Sequence, residues 1–189
     1  MSFLVRMLAG NTQLTPRERS HLLSANLCLG KGDTEEARQE LSKISTSNRT
    51  NPDVLCVSWK IYSTSGNWEL AAETAKAIAE QMPGNELGSV LLAQSLHKLG
   101  RTKEARDTLI ATAHKFPEKY LIHYDLARYC CALGDLSEAW RWLEKVLEAP
   151  GSTEEIILLA LYDPDLKPLL GDTTEGKPWR TIAATCLAR

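Results

Sequence analysis

The chain has 189 residues, 43% of them apolar and 24% charged, and its formal net charge is −2. This composition is typical of a globular protein that is large enough to bury a core as one domain or one repeat array. The slightly negative charge argues against non-specific binding to nucleic acid or to an anionic membrane surface, and no apolar run approaches the ~20 residues of a membrane span.

The cysteines point to a reducing compartment. Their number is odd, no CxxC pair occurs, and none has the paired spacing of a zinc site: Cys28, Cys56, Cys130, Cys131 and Cys186. We therefore expect reduced, structural thiols. The apolar stretch at the N-terminus is short and is interrupted by Arg6, which argues against a secretory signal peptide. Together these features predict a cytoplasmic protein.

Helical segments are predicted along most of the chain, and we expect a single domain over residues 1–189. Residues 1–14 form an N-terminal segment, for which a short helix over residues 2–9 and a frayed terminus are the two interpretations. Four helix pairs then follow, over residues 15–51, 52–85, 86–117 and 118–151. Residues 152–189 are predicted to form a helical C-terminal cap, in which Asp163 and Pro164 have the pattern that begins a helical turn.

One six-residue phrase occurs in every helix pair. It reads GDTEEA, GNWELA, GRTKEA and GDLSEA, and its glycines are spaced 34 residues apart at Gly32, Gly66, Gly100 and Gly134. A constant period of 34 residues is typical of stacked helix–turn–helix repeats. Each phrase predicts a hinge, in which Gly adopts a positive φ and Asp33, Asn67 or Asp135 caps the next helix.

The repeats resemble the tetratricopeptide repeat (TPR) family at four positions of the 34-residue period. That family has a small residue at repeat position 8, Ala at position 20, a large apolar residue at 24 and Pro at 32. Here position 8 holds Ala25, Trp59, Ala93 and Ala127, and position 20 holds Ala37, Ala71, Ala105 and Ala139. Position 24 holds Leu41, Ala75, Leu109 and Leu143, and position 32 holds Arg49, Pro83, Pro117 and Gly151. Repeat two departs from the pattern at Trp59 and Ala75, which we interpret as a volume-conserving exchange.

The resemblance covers about residues 18–151 and implies an all-α fold: a right-handed α–α superhelix of four repeats followed by C-terminal capping helices. It also implies that the protein binds other proteins, because the concave groove of such arrays usually holds an extended peptide or a short helix.

Helical geometry predicts a surface opposite the core, and the resemblance implies that this surface is the groove. At 100° per residue, positions 2, 5, 9 and 12 of each first helix lie opposite the core positions. Position 9 is a polar column, Asn26, Lys60, Gln94 and Arg128, whose side chains can bond to a peptide backbone or a carboxylate. Position 5 is an apolar strip of Leu22, Cys56, Val90 and Tyr124. Further candidates are Leu87 and Leu121 at position 2 and His97 at position 12.

Two alternatives to peptide binding remain at this point. The polar column is also what a simply solvated surface would show. The apolar strip is alternatively covered by the N-terminal segment or by a second copy of the chain, which would make the protein a homo-oligomer or a fixed subunit of an assembly. A clamp for a chaperone's C-terminal carboxylate is not expected, because Leu22 stands where such a clamp has Lys.

No residues in the sequence predict an enzyme, a cofactor or a metal site. The four histidines form no ligand spacing with a carboxylate or cysteine, no serine lies in a nucleophile-elbow pattern, and there is no glycine-rich phosphate loop. The sequence therefore predicts a protein partner of unknown identity.

Overall fold

The computed structural model describes residues 14–148 and 154–170, and within them all regular structure is helical. The ten α-helices of this part of the chain are α1 Pro16–Gly30, α2 Thr34–Ser42, α3 Pro52–Thr64, α4 Trp68–Gln81, α5 Leu87–Lys98, α6 Thr102–Lys115, α7 Tyr120–Ala132, α8 Leu136–Glu148, α9 Glu154–Tyr162 and α10 Lys167–Leu170. Two 3-10 turns, Thr46–Asn48 and Pro164–Leu166, connect α2 to α3 and α9 to α10. The all-α fold class is confirmed. The predicted N-terminal helix, Gly151 and the cap beyond residue 170 lie outside the described residues.

The hinges have the geometry that the repeated phrase predicted. Gly32, Gly66, Gly100 and Gly134 all have positive φ, between 73° and 84°. At three of the hinges the residue after Gly caps the next helix: a side-chain oxygen of Asp33, Asn67 or Asp135 accepts from the backbone N–H three residues ahead. Asp135 also closes the preceding helix, because its backbone N–H donates to the carbonyl of Cys130 at 2.9 Å.

The alanine at repeat position 20 is buried in all four repeats. Ala37, Ala71, Ala105 and Ala139 have no exposed surface. A larger side chain would separate the two helices of the pair, so this column explains why the phrase ends in Ala. Within the units, the two helices of the first, second and fourth pairs contact each other: α1 with α2, α3 with α4, and α7 with α8.

The chain divides into two compact units, with the division between Leu99 and Gly100. We call them the N-terminal unit and the C-terminal unit and describe each by itself. The core of the N-terminal unit includes Leu14, Leu22, Ala25, Val57 and Ile61, all nearly inaccessible to solvent. Leu14, at the end of the N-terminal segment, therefore belongs to the core of the first repeat.

The C-terminal unit is closed by its own cap. The Pro164–Leu166 turn contacts α7, and α10 contacts α8. Leu166 and Leu169 are completely buried by these contacts, as is Leu143 of α8. The cap thus covers apolar surface of the fourth repeat, which a terminal repeat would otherwise expose.

Trp59, the unusual large residue of repeat two, reaches into repeat three. Its indole Nε1–H donates to the Ser95 hydroxyl at 3.0 Å, and Ser95 is completely buried on α5. A buried hydroxyl needs such a partner, so the tryptophan supplies a polar contact as well as volume. The exchange of volume with Ala75, which is fully buried, stays a prediction.

Candidate functional site

The polar column brings two of its members together in the N-terminal unit. Lys60 Nζ on α3 donates to Asn26 Oδ1 on α1 at 3.3 Å, and Asn26 Nδ2 donates to the carbonyl of Leu22 at 3.2 Å. Asn26, Lys60 and Gln94 are all half-buried, and Gln94 lies on α5 of the same unit. We call the surface that carries these three residues the first-helix face. Its side chains are partly ordered by neighbours and partly accessible to solvent.

The apolar strip at position 5 lies mostly inside the protein. Leu22, Cys56 and Tyr124 are only 4–5% exposed, and Val90 is half-buried. The periodicity of a single helix cannot predict this burial, because α1 and α3 contact each other and cover side chains between them. Of the other predicted residues, Leu87 and His97 are half-buried and Leu121 is 55% exposed.

In the C-terminal unit, position 9 is already engaged by the cap. Arg128 on α7 donates to Asp165 at 2.5 Å and to Asp125 at 3.0 Å, and its Nε lies 3.1 Å from Asp163. The Tyr124 hydroxyl, at position 5 of the same helix, also donates to Asp163. Burial opposes the charge on Arg128, but the hydrogen bond to Asp165 and the Asp125 and Asp163 carboxylates outweigh it and raise the pKa of Arg128.

These contacts revise one expectation for the polar column. Arg128 was predicted to contact a partner, yet its guanidinium holds the chain's own residues 163–166, which we call the cap turn. Asp163 begins that turn as an N-cap whose side chain accepts from the backbone N–H of Asp165 at 2.8 Å. The sequence contained the N-cap signal at Asp163, but it did not indicate that the carboxylates of the turn would contact Arg128.

Glu18 is an important residue that the groove argument did not include. Its carboxylate accepts five hydrogen bonds: from the backbone N–H and hydroxyl of Thr15, from the same two groups of Ser45, and from the Asn48 amide. The bond from the Ser45 hydroxyl, followed by those from Thr15 and Asn48, holds the pKa of Glu18 far below its ordinary value. The signal in the sequence was the Thr15-x-x-Glu18 capping box.

Four cysteines and His123 are buried in the part of the chain that the structure describes. Cys28, Cys56, Cys130 and Cys131 are buried free thiols, and burial raises the pKa of Cys56 to about 11 and that of Cys130 to about 12. High thiol pKa values disfavour the reactive thiolate. His123 is buried and stacks on Trp142 with 5.6 Å between ring centroids; burial, aided by the charge of Lys145, lowers its pKa. Residues 14–148 and 154–170 contain no group of three potential metal ligands.

A second accessible surface lies elsewhere in the N-terminal unit. A cavity of about 320 Å³ lies against α2, α3 and α4, and its lining includes Arg38, Arg49, Leu41 and Tyr62. Arg49 occupies position 32, where the family usually has Pro. Because none of the predicted groove residues lines this cavity, it is a second surface of the N-terminal unit that can be tested for partner binding.

None of the helices that the structure describes is long and apolar enough to cross a membrane.

Comparisons with known proteins agree with the repeat assignment. A family model described as tetratricopeptide repeat matches residues 88–109, which include α5 and part of α6. Among curated proteins, none matches the chain significantly.

Several solved structures have a similar fold. MamA residues 41 to the end, from Desulfovibrio magneticus RS-1, is 16% identical, with a TM-score of 0.69 over 92% of this chain and 95% of that one. Another MamA crystal structure is 17% identical, with a TM-score of 0.65 over 91% and 88% of the two chains. TTC0263, a thermophilic TPR protein in Thermus thermophilus, is 18% identical, with a TM-score of 0.63 over 91% and 100%. The four hinges, the family model that matches residues 88–109 and the shared fold together support a tetratricopeptide-repeat fold for the chain.

Proposed function

We propose that the protein is an interaction module that binds a segment of a partner protein on the first-helix face of its N-terminal unit. The observation that carries this proposal is the contact between Lys60 and Asn26, two side chains at the same position of successive repeats. Repeat-equivalent polar groups that meet on adjacent helices form a ladder, and a ladder of donors matches the regularly spaced carbonyls of an extended peptide.

The chemistry of the face favours a peptide with carbonyl or carboxylate groups aimed at α3. Lys60 has three donor hydrogens and a positive charge, while the amides of Asn26 and Gln94 each offer donors and an acceptor. Their partial burial limits the conformational freedom that each would lose on binding. Val90 and Leu87 on α5 are half-buried and supply apolar surface in the same unit.

Charge reversal at Lys60 tests the proposal, with Lys76 as a matched control. Lys76 is an exposed lysine on α4, the second helix of the same repeat. Tagged wild type, Lys60→Glu and Lys76→Glu are used to capture partners from lysate, and dissociation constants are then measured with the captured protein. We expect Lys60→Glu to weaken binding about tenfold or more, equivalent to ~1.4 kcal/mol, and Lys76→Glu to leave it within about twofold. If both variants bind like wild type, the partner site is not on this face.

Self-association through the groove is the alternative function, and the burial pattern gives it less support. Of the apolar strip on which it depends, Leu22, Cys56 and Tyr124 are already covered by the chain itself. Among the exposed apolar side chains, Leu121 is a predicted groove residue, whereas Leu27 on α1 and Tyr162 on α9 lie at other positions.

We also propose that the protein is cytoplasmic. The four buried free thiols, Cys28, Cys56, Cys130 and Cys131, support this compartment, because thiols stay reduced there.

A further inference from the structure

We propose that Tyr124 and Arg128 form a recognition site for an acidic turn, which the chain fills with its own cap turn and which a partner with the same Asp-Pro-Asp chemistry can enter by displacing it. This proposal deepens the proposed function, because it concerns the repeat positions at which that function places peptide contacts. It names the class of partner segment for the C-terminal unit: a carboxylate-bearing turn rather than an extended apolar peptide.

The contacts in this site recognise a specific chemical group. Arg128 directs separate nitrogens to Asp165 and Asp163, and Tyr124 donates its hydroxyl to Asp163. A planar guanidinium that bonds several carboxylate oxygens gives geometric selectivity as well as attraction. An apolar cap would need only Leu166 and Leu169, which are completely buried. The added polar contacts therefore select which turn can dock on α7.

The turn itself is shaped before it docks. The Asp163 side chain accepts from the backbone N–H of Asp165 at 2.8 Å, and Pro164 restricts the backbone at the first position of the turn. The two carboxylates are thereby presented on one side at a fixed spacing. A partner that carries the same short pattern would present them in the same way, without contributing a long segment of ordered chain.

One carboxylate of the closed site is accessible enough to be exchanged. Arg128 contacts three carboxylates, those of Asp125, Asp163 and Asp165, so its single positive charge is divided among them. Asp165 is also the most accessible of the three, with 38% of its side chain exposed. A competing carboxylate can therefore approach Arg128 from the Asp165 side while the rest of the cap turn is still bound.

Because the cap turn of the same chain occupies the site, a free peptide has to compete with it. A tethered segment competes at an effective concentration of about millimolar, and a ligand's apparent affinity falls by the fraction of sites that are open. The wild-type chain should consequently bind an external acidic turn weakly. Removing the carboxylates of the cap turn, while Arg128 and Tyr124 remain, should reveal the affinity of the site.

The test uses a labelled peptide with the chain's own sequence from residue 162 to residue 170, YDPDLKPLL, and fluorescence anisotropy with the full chain. We expect Asp163→Asn/Asp165→Asn to bind it about tenfold more tightly than wild type, as relief of tethered competition requires. A control peptide with both aspartates changed to Asn should not bind. Adding Arg128→Gln to the double variant should abolish binding.

Alkylation of Cys131, followed by mass spectrometry, reports the position of the cap. Cys131 is 6% exposed and lies against the backbone of Leu169. Its alkylation should be faster in Asp163→Asn/Asp165→Asn and should slow again when the acidic peptide is added. The single variant Asp165→Asn replaces the double variant if the latter loses its helical circular dichroism.

Equal peptide binding by wild type and variant overturns the proposal, and so does binding that survives the asparagine peptide or Arg128→Gln. A cap that stays closed without its carboxylates also overturns it, since apolar contacts would then suffice. None of these outcomes bears on the first-helix face, because the Lys60 and Lys76 variants test that face separately.

Discussion

Arg128 and Lys60 show how two cations at the same repeat position take different roles. Lys60 Nζ contacts the amide oxygen of Asn26, whereas Arg128 contacts three carboxylates, two of them in the cap turn. The repeat pattern predicted the position of both residues on their helices. It could not predict the difference between them, because Asp163 and Asp165 lie after the last repeat and their contact with α7 is a long-range one.

Glu18 ties the atypical first repeat together. Repeat one lacks the proline that ends the second helix in repeats two and three, and its α2 ends early, at Ser42. The Glu18 carboxylate instead fixes the Thr46–Asn48 turn through Ser45 and Asn48 while it caps α1 through Thr15. One buried acid thus joins the start of α1 to the end of the repeat.

We predict that Glu18→Gln destabilises the N-terminal unit and removes part of its acid sensitivity. Glutamine replaces one accepting oxygen by an NH2 group, which would face donors. Because the pKa of Glu18 is lowered in the folded state, its contribution is present above the unfolded pKa of about 4.3 and is lost as the pH falls below that value. Thermal unfolding of wild type and variant between pH 7 and pH 3 measures the effect.

Glu69→Gln is the matched control, since Glu69 is exposed in the first turn of α4. The variant at Glu18 should show a lower midpoint at pH 7 and a smaller decrease on acidification, while the control should follow wild type. A Glu18→Gln midpoint that matches wild type throughout the pH range would show that the network adds no stability.

Among the helices, the residue that a contact can accommodate depends on how closely the two backbones approach each other. The strongest example is the contact between α4 and α5, where a Cβ placed on Gly88 would lie 2.4 Å from the backbone nitrogen of Ala79. A backbone atom cannot move aside as the end of a flexible side chain can. Gly88 is therefore required by packing rather than by an unusual φ, which distinguishes it from the four hinge glycines.

Gly88→Ala should lower the free energy of unfolding by ~1–3 kcal/mol, the usual cost of overpacking a well-packed contact. Gly84→Ala is the control, because a Cβ there would meet nothing within 4 Å, and surface changes of this kind usually stay within about 0.5 kcal/mol. Urea unfolding followed by circular dichroism gives both values. Equal stability of the two variants would mean that the α4–α5 contact can widen without cost.

At the scale of the whole chain, local and long-range features were predicted with different success. The hinges and the alanine column at position 20 follow from patterns within 34 residues, so a single sequence contains them. The burial of Leu22, Cys56 and Tyr124 depends on neighbouring helices or on the cap, which a calculation on one helix omits. The division between Leu99 and Gly100 was not predicted either, because the hinge there carries the same phrase as the others.

Our main proposal is that a partner segment lies on the first-helix face of the N-terminal unit. Site-specific photo-crosslinking tests it most directly, with a photoreactive residue placed in turn at Gln94 on that face, at Lys76 on α4 and at Tyr62 in the 320 Å³ cavity. We predict that a partner in lysate crosslinks to position 94, and that Lys60→Glu in the same chain removes the crosslink. Crosslinks confined to position 62 or position 76 would contradict it and would place the partner on another surface of the repeats.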